Sequence, residues 1–194
     1  MLRGGRKSMM FSIIMPVHNS AKFVRKALDS IACQTFKDYE LIVVCDACED
    51  NTEEIVREYT DKVYVTDYKN DGPARNVALN HAEGDWILFM DDDDWWLHEY
   101  VLEQIAGQLG PEDLLRFAFI YRGEGYAPPG DWIAIWNKCW RRSFIGSTRF
   151  KPVYPADLPF HKEMMGKRPT VKDWNMPIYY YNFMREGSQS WKYS

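Results

Sequence analysis

Apolar positions in the first ninety residues form short unbroken runs, and helically spaced segments separate them. Phe11 to Val17 is one such run, and it stops at His18-Asn19-Ser20. That pattern predicts a buried strand, then a turn and a helix cap. Val24, Ala27, Leu28, Ile31 and Ala32 then recur at helical spacing with charged residues between them, so an amphipathic helix follows. Tyr39 to Cys45 predicts a second strand, 52–60 a helix, and Val63 to Thr66 a third strand. Asn70-Asp71-Gly72-Pro73 marks a turn before a helix over Ala74 to Ala82, which Gly84 closes. Asp85 to Met90 predicts a fourth strand.

Continuous apolar strands that alternate with helices indicate a parallel sheet covered on both faces. Such sheets bind ligands at the carboxyl ends of their strands. The polar clusters fall there: His18-Asn19 after the first strand, Asp46 to Asp50 after the second, Asp91 to Asp94 after the fourth. Beyond residue 95 the alternation weakens. A helix is expected over Leu97 to Leu109 and a strand over Leu114 to Tyr121. Gly123 to Asp131 reads as a loop, Trp132 to Trp136 as a strand, Pro159 to Met165 as a short helix and Ile178 to Met184 as an aromatic strand. Length adds that 194 residues make one sizeable domain with a real core, its first eight residues a flexible tail.

Net charge changes the list of partners. At -4 it points away from a nucleic-acid binder, which clusters Lys and Arg. Arg3, Arg6 and Lys7 form a brief basic tail that a membrane surface or plain solvent explains. No apolar run is long enough to span a bilayer, and Pro16, His18 and Asn19 interrupt any signal-type segment. The chain is therefore expected to be cytoplasmic, with its four cysteines reduced. Cys45-x-x-Cys48 has no second pair to make a zinc site, so two ordinary thiols are expected.

Asp91-Asp92-Asp93-Asp94 sits between an apolar strand and Trp95-Trp96. Adjacent carboxylates repel, and a desolvated position makes unpaired charge costly. A solvated acidic loop is one reading. A divalent cation, Mn²⁺ or Mg²⁺, held by hard oxygen ligands and substrate phosphates, is the other and is favoured by position.

Several of these segments together resemble family 2 glycosyltransferases. Ser12-Ile-Ile-Met-Pro-Val-His-Asn19 resembles the family's VSIIIPVYN strand. Val43-Val-Cys-Asp-Ala-Cys-Glu-Asp-Asn-Thr52 is similar to VVDDGSTDGT, Gly72-Pro-Ala-Arg-Asn76 to a G-x-x-x-ARN segment, and Leu88 to Asp94 to FLDSDD. Arg141 to Ile145, Ala156-Asp157 and Tyr181 to Ser190 resemble later family segments, in the family's order.

The resemblance implies an α/β fold of the GT-A type. This is a Rossmann-like, mostly parallel central sheet with helices on both faces and a smaller mixed C-terminal part. Residues 1–94 would bind the nucleotide-sugar and 95–194 the acceptor. It implies an inverting transfer of sugar from a nucleotide-sugar, expected to be a UDP-sugar, to a hydroxyl of a saccharide or lipid-linked acceptor in cell-surface glycan synthesis, with peripheral association at the inner membrane face. By position, Asp91 and Asp93 carry over as the metal-binding DxD pair and Asp157 as the general base. Pro16, His18, Asn19, Asp46, Arg75 and Asp92 carry over to the donor. From the residues alone, Arg75 is equally a helix-surface ion pair, and His18 a turn histidine. Trp95, Trp96 and His161 are acceptor-side candidates, with core packing the alternative for the tryptophans. Lys138, Arg141, Arg142 and Arg149 face either an anionic acceptor or solvent. Cys45 and Ala47-Cys48 depart from the family's Asp and Gly-Ser, and Ala156 from its acidic residue. Those departures keep a catalytically silent nucleotide- or sugar-binding module open. A sugar nucleotidyltransferase is disfavoured because His18 to Lys22 lacks a Gly-rich phosphate loop.

Overall fold

The structure is a computed structural model that describes residues 9–121 and 125–182. Four strands, β1 (Phe11–Val17), β2 (Tyr39–Asp46), β3 (Val63–Thr66) and β4 (Trp86–Phe89), pair in parallel in the order β3-β2-β1-β4. Helices α1 (Val24–Ala32), α2 (Thr52–Val56) and α3 (Asp71–His81) connect them. The predicted alternation is therefore present throughout the first ninety residues.

Strand β1 shows why the sheet is covered on both faces. Phe11, Ile13 and Met15 pack with Val24, Leu28 and Ile31 of α1. Ile14 packs on the other face with Ala74 and Ala78 of α3. Successive side chains of a strand point to opposite faces, so a strand buried on both reads as a continuous apolar run. Pro16 is tolerated in this central strand because β4 pairs with β1 only as far as Ile14, across from Phe89. The proline nitrogen lies past that ladder, where no N–H is required.

The second half extends the same sheet in mixed orientation. β5 (Trp95–Trp96), α4 (Val101–Gln108), β6 (Leu114–Tyr121), β7 (Gly125–Ala127), β8 (Lys138–Arg141), α5 (Arg142–Ile145), α6 (Asp157–Gly166) and β9 (Val171–Tyr181) follow in chain order. β8 is antiparallel to β4 and to β6, β9 is parallel to β6, and β5 closes the edge antiparallel to β9.

Several expected boundaries differ. Helix α3 begins at Asp71 rather than Ala74, because Asn70 caps it by accepting from the Gly72 N–H and Pro73 sits in the first turn, where its missing donor is harmless. Gly84 does not close that helix. It lies against β1, where an added Cβ would come within 2.5 Å of the Phe11 and Ser12 backbone. Helix α2 stops at Val56, and α4 starts at Val101 because Trp95 and Trp96 pair with β9 instead. Trp132 to Trp136 is not a strand. The strand is Lys138–Arg141, and the buried Lys138 ammonium gathers the Trp132 and Ala134 carbonyls, bending the preceding segment. The expected 123–131 loop contains β7, which pairs with β6. Residues 183 and 184 of the expected last strand, and 183–190 of the closing resemblance, lie outside the described residues, as does the basic tail.

Candidate functional site

Three loops at the carboxyl ends of β1, β2 and β4 meet through side chains of the expected residues. The His18 ring donates from Nδ1 to the Asp46 carbonyl at 2.7 Å. Asn19, at φ 48°, uses its Oδ1 to accept from the Glu49 N–H at 2.7 Å. Asp92 accepts from the Ser20 hydroxyl, tying the loop after β4 to the loop after β1. Asp46 is buried and accepts from the Thr66 hydroxyl (2.8 Å), the Tyr68 N–H (2.6 Å) and the Asn70 N–H (2.8 Å). Its carboxylate thus fixes the chain that enters α3. Ala47 stands at φ 52°, a left-handed conformation that glycine adopts freely and alanine at a cost of about 1–2 kcal/mol. The family pattern has Gly at that position.

Arg75 is the hub. It is 3% exposed, so the surface-pair alternative fails. The i,i+4 pair with Asp71 does form. The same guanidinium also reaches Asp91 Oδ1 at 2.9 Å and Asp157 Oδ1 at 3.5 Å. One cation therefore links the first carboxylate of the acidic run to the candidate base on α6, while its Nε has no partner among the described residues. Gly72 permits this approach. A Cβ there would lie 2.7 Å from the Lys151 carbonyl and 3.0 Å from the Ala156 side chain, pushing the segment that carries Asp157 outward.

The four aspartates separate by role. Asp94 is fully buried and faces inward, accepting from the Tyr179 hydroxyl (2.7 Å) and the Asn182 N–H (2.8 Å), so it anchors β9. Asp91 and Asp93 are half-buried. Burial pushes the Asp91 carboxyl up to about 7, with Arg75 opposing and Asp157, Asp93 and Asp92 reinforcing. Asp157 opens α6, where the helix dipole favours an anion. Burial raises its pKa as well, and Arg75 pulls it back.

Among the described residues, no three His, Cys, Asp or Glu side chains gather closely enough to hold a metal ion by themselves. The all-oxygen, partly desolvated pair Asp91 and Asp93 fits a hard divalent cation whose remaining ligands come from phosphate and water.

His161 lies one turn after Asp157 on α6, is buried, and sets its Nε2 3.1 Å from Asp131 Oδ1. Its Nδ1 is buried without a partner among the described residues. Of the two tryptophans, Trp96 takes the core-packing alternative. Trp96 is core, at 4% exposure. Trp95 is half-buried, stacks on Tyr180 at 4.1 Å and carries the Lys26 ammonium 3.1 Å from its centroid. Lys138 is separated from the three arginines expected beside it: it is wholly buried and pushed down to about 7 by desolvation. Cys45 is buried core and Cys48 donates to the Val17 carbonyl at 3.5 Å; both are free thiols.

The model of glycosyl transferase family 2 matches residues 12–152. The chain belongs to that family. Over 95 residues, 45% of this chain and 17% of the relative, it is 40% identical to the poly(ribitol-phosphate) beta-N-acetylglucosaminyltransferase TarS of Staphylococcus aureus strain Mu50. It is 36% identical over 104 residues, 52% of this chain and 41% of the relative, to the Escherichia coli UDP-Glc:alpha-D-GlcNAc-diphosphoundecaprenol beta-1,3-glucosyltransferase WfgD. In three dimensions it is similar to S. aureus TarS residues 1–349 in complex with UDP-GlcNAc, with a TM-score of 0.81 at 25% identity over 94% of this chain and 60% of that one. The Pyrobaculum calidifontis mannosyltransferase PcManGT shares the fold, with a TM-score of 0.77 at 18% identity over 96% of this chain and 61% of that one. The fold is therefore that of GT-A glycosyltransferases, and the chain spans less than two thirds of the length of these relatives. No helix among the described residues is long and apolar enough to cross a membrane.

Proposed function

We propose that the chain is an inverting glycosyltransferase that moves a sugar from a UDP-sugar to a hydroxyl of a saccharide or lipid-linked acceptor in cell-surface glycan synthesis. The observation that carries this reading is the Arg75 bridge between Asp91 and Asp157, 2.9 and 3.5 Å long. It couples a phosphate-side carboxylate to a carboxylate free to take a proton. The relatives support the donor and the setting. TarS is seen with UDP-GlcNAc, WfgD is named for UDP-Glc and a diphosphoundecaprenol acceptor, and both are named for beta transfer. A cytoplasmic location at the inner membrane face suits a lipid-linked acceptor, and four free thiols suit a reducing compartment.

In this reading residues up to about 94 hold the donor and the remainder the acceptor. His18, Asn19 and Asp46 shape the nucleoside end, with Pro16 in the strand beneath and Asp92 fastening their loop. Asp91 and Asp93 would hold Mn²⁺ or Mg²⁺; PcManGT is seen with GDP-Man and Mn2+. Bound there, such a cation supplies charge stabilisation to the departing diphosphate. Arg75 draws Asp91 and Asp157 together and opposes the burial that raises both carboxyls. Asp157 accepts the acceptor hydroxyl proton as oxygen attacks the anomeric carbon, and its burial raises its basicity for that task. Attack on the face opposite the leaving diphosphate inverts the configuration. His161, one turn on, borders the acceptor.

The test is a transfer and hydrolysis screen over UDP-sugars with wild type and Asp157→Asn. Turnover that falls about 10²–10⁴-fold in the variant, with UDP affinity within about twofold, supports the assignment. Near-normal turnover by Asp157→Asn removes Asp157 from the role, and absence of turnover by wild type favours the silent module.

A further inference from the structure

A groove of ≈ 700 Å³ lies outside the site above. Its walls include Trp86, Arg141, Arg142, Arg149 and Asp85. Trp86 opens β4 and pairs across from Arg141 at the end of β8, whereas Asp91 follows the other end of β4. Five residues of extended chain separate the two ends, about 16 Å. One diphosphate cannot span both places.

The electrostatics of this groove differ from those of the other arginine sites. Arg25, Arg57, Arg75 and Arg116 each face a carboxylate. Arg141, Arg142 and Arg149 hydrogen-bond uncharged oxygens instead, although the charge of Arg141 also reaches the Asp113 carboxylate. Arg141 donates to the Gly110 and Glu112 carbonyls and lies 4.3 Å from the Trp86 ring centroid. Arg149 donates to Asn80 Oδ1 and to the Gly146 and Thr148 carbonyls. Arg142 uses only its Nε, on the Gly84 carbonyl at 2.6 Å, which leaves its two terminal nitrogens without an acceptor among the described residues. Neutral acceptors fix a guanidinium without cancelling its charge, and a guanidinium cannot shed its proton. A concave wall concentrates the resulting potential. In a chain of net charge -4, one carboxylate, Asp85, lines a groove with three such cations.

We propose that this groove binds a phosphate ester, with the phosphate oxygens on the free fork of Arg142 and in the field of Arg141 and Arg149. The planar fork matches two phosphate oxygens at once. The volume admits a headgroup-sized ligand. The same chemistry is offered by a free phosphate ester and by an anionic lipid headgroup.

The experiment titrates the full chain with sn-glycerol 3-phosphate and, separately, with phosphatidylcholine vesicles containing phosphatidylglycerol, and follows backbone amide and tryptophan indole NMR signals. Shifts at Trp86 and residues 141–149, retained in Asp91→Ala and with affinity at least about tenfold weaker in Arg142→Gln, are expected. Response to both probes identifies a soluble ester site, and response to vesicles alone identifies a headgroup site. Arg142→Lys, which keeps charge and loses the fork, should fall between wild type and Arg142→Gln, and it serves if the Gln variant melts early. No response to either probe, a response confined to residues 91–93, or unchanged affinity in both Arg142 variants would overturn the proposal.

Discussion

The two ends of the parallel strands treat a buried carboxylate in opposite ways. At the amino ends, Glu40 is 5% exposed and accepts from the Ser12 hydroxyl at 2.5 Å, the Glu83 N–H at 2.6 Å and Lys62. Burial alone would raise its pKa, but the hydrogen bonds from Lys62, Ser12 and the Glu83 N–H bring it below the ordinary glutamate value. At the carboxyl ends, Asp91 and Asp157 share one guanidinium with Asp71, and both are raised by burial. The first end is complete as folded. The second carries more charge than its own partners satisfy, which is the condition expected where ligands finish the structure.

The largest expected effect in stability comes from the hub. Arg75→Met should leave the partly buried Asp91 and Asp157 without their counter-charge and cost about 3–5 kcal/mol in urea denaturation at pH 7.5. A cost under about 1 kcal/mol would mean that the three carboxylates are satisfied elsewhere. At the other end, Glu40→Gln removes a charged acceptor that has several donors, and a loss of about 1–3 kcal/mol is expected. Because the folded pKa of Glu40 is depressed, its contribution is full above the unfolded value near 4.5 and is lost as pH falls through the folded one. Wild type should therefore lose stability faster than Glu40→Gln below pH 4.5, and parallel pH profiles would break the contrast. The smallest effect is a gain. Ala47→Gly should stabilise by up to about 1 kcal/mol by relieving φ 52°, measured as a higher thermal midpoint with UDP affinity unchanged.

Much of the parallel half was legible because strands such as Phe11–Val17 are apolar on both faces and end in polar turns. The left-handed Ala47 was foreshadowed by the glycine at that place in the family pattern. The hub was legible only in part. Asp71 and Arg75 are four apart on one helix, but Asp91 and Asp157 are brought to the same guanidinium by β4 and α6, and no local spacing reports that. Four identical aspartates could not reveal that Asp94 turns inward to Tyr179. Trp132 to Trp136 misled because apolar residues with no partner strand are bent by the carbonyl contacts of Lys138, three-dimensional features outside any window. Trp95 and Trp96 read alike as acceptor-side or core candidates, and the stacking of Trp95 on Tyr180 and its contact with Lys26 are not visible in any window.

The donor site is tested by calorimetry of UDP with and without Mn²⁺, on wild type and the Asp91→Ala/Asp93→Ala double variant. Binding should strengthen with the metal in wild type and lose that dependence in the variant. Wild-type protein that binds neither UDP nor any other nucleoside diphosphate under either condition would contradict it.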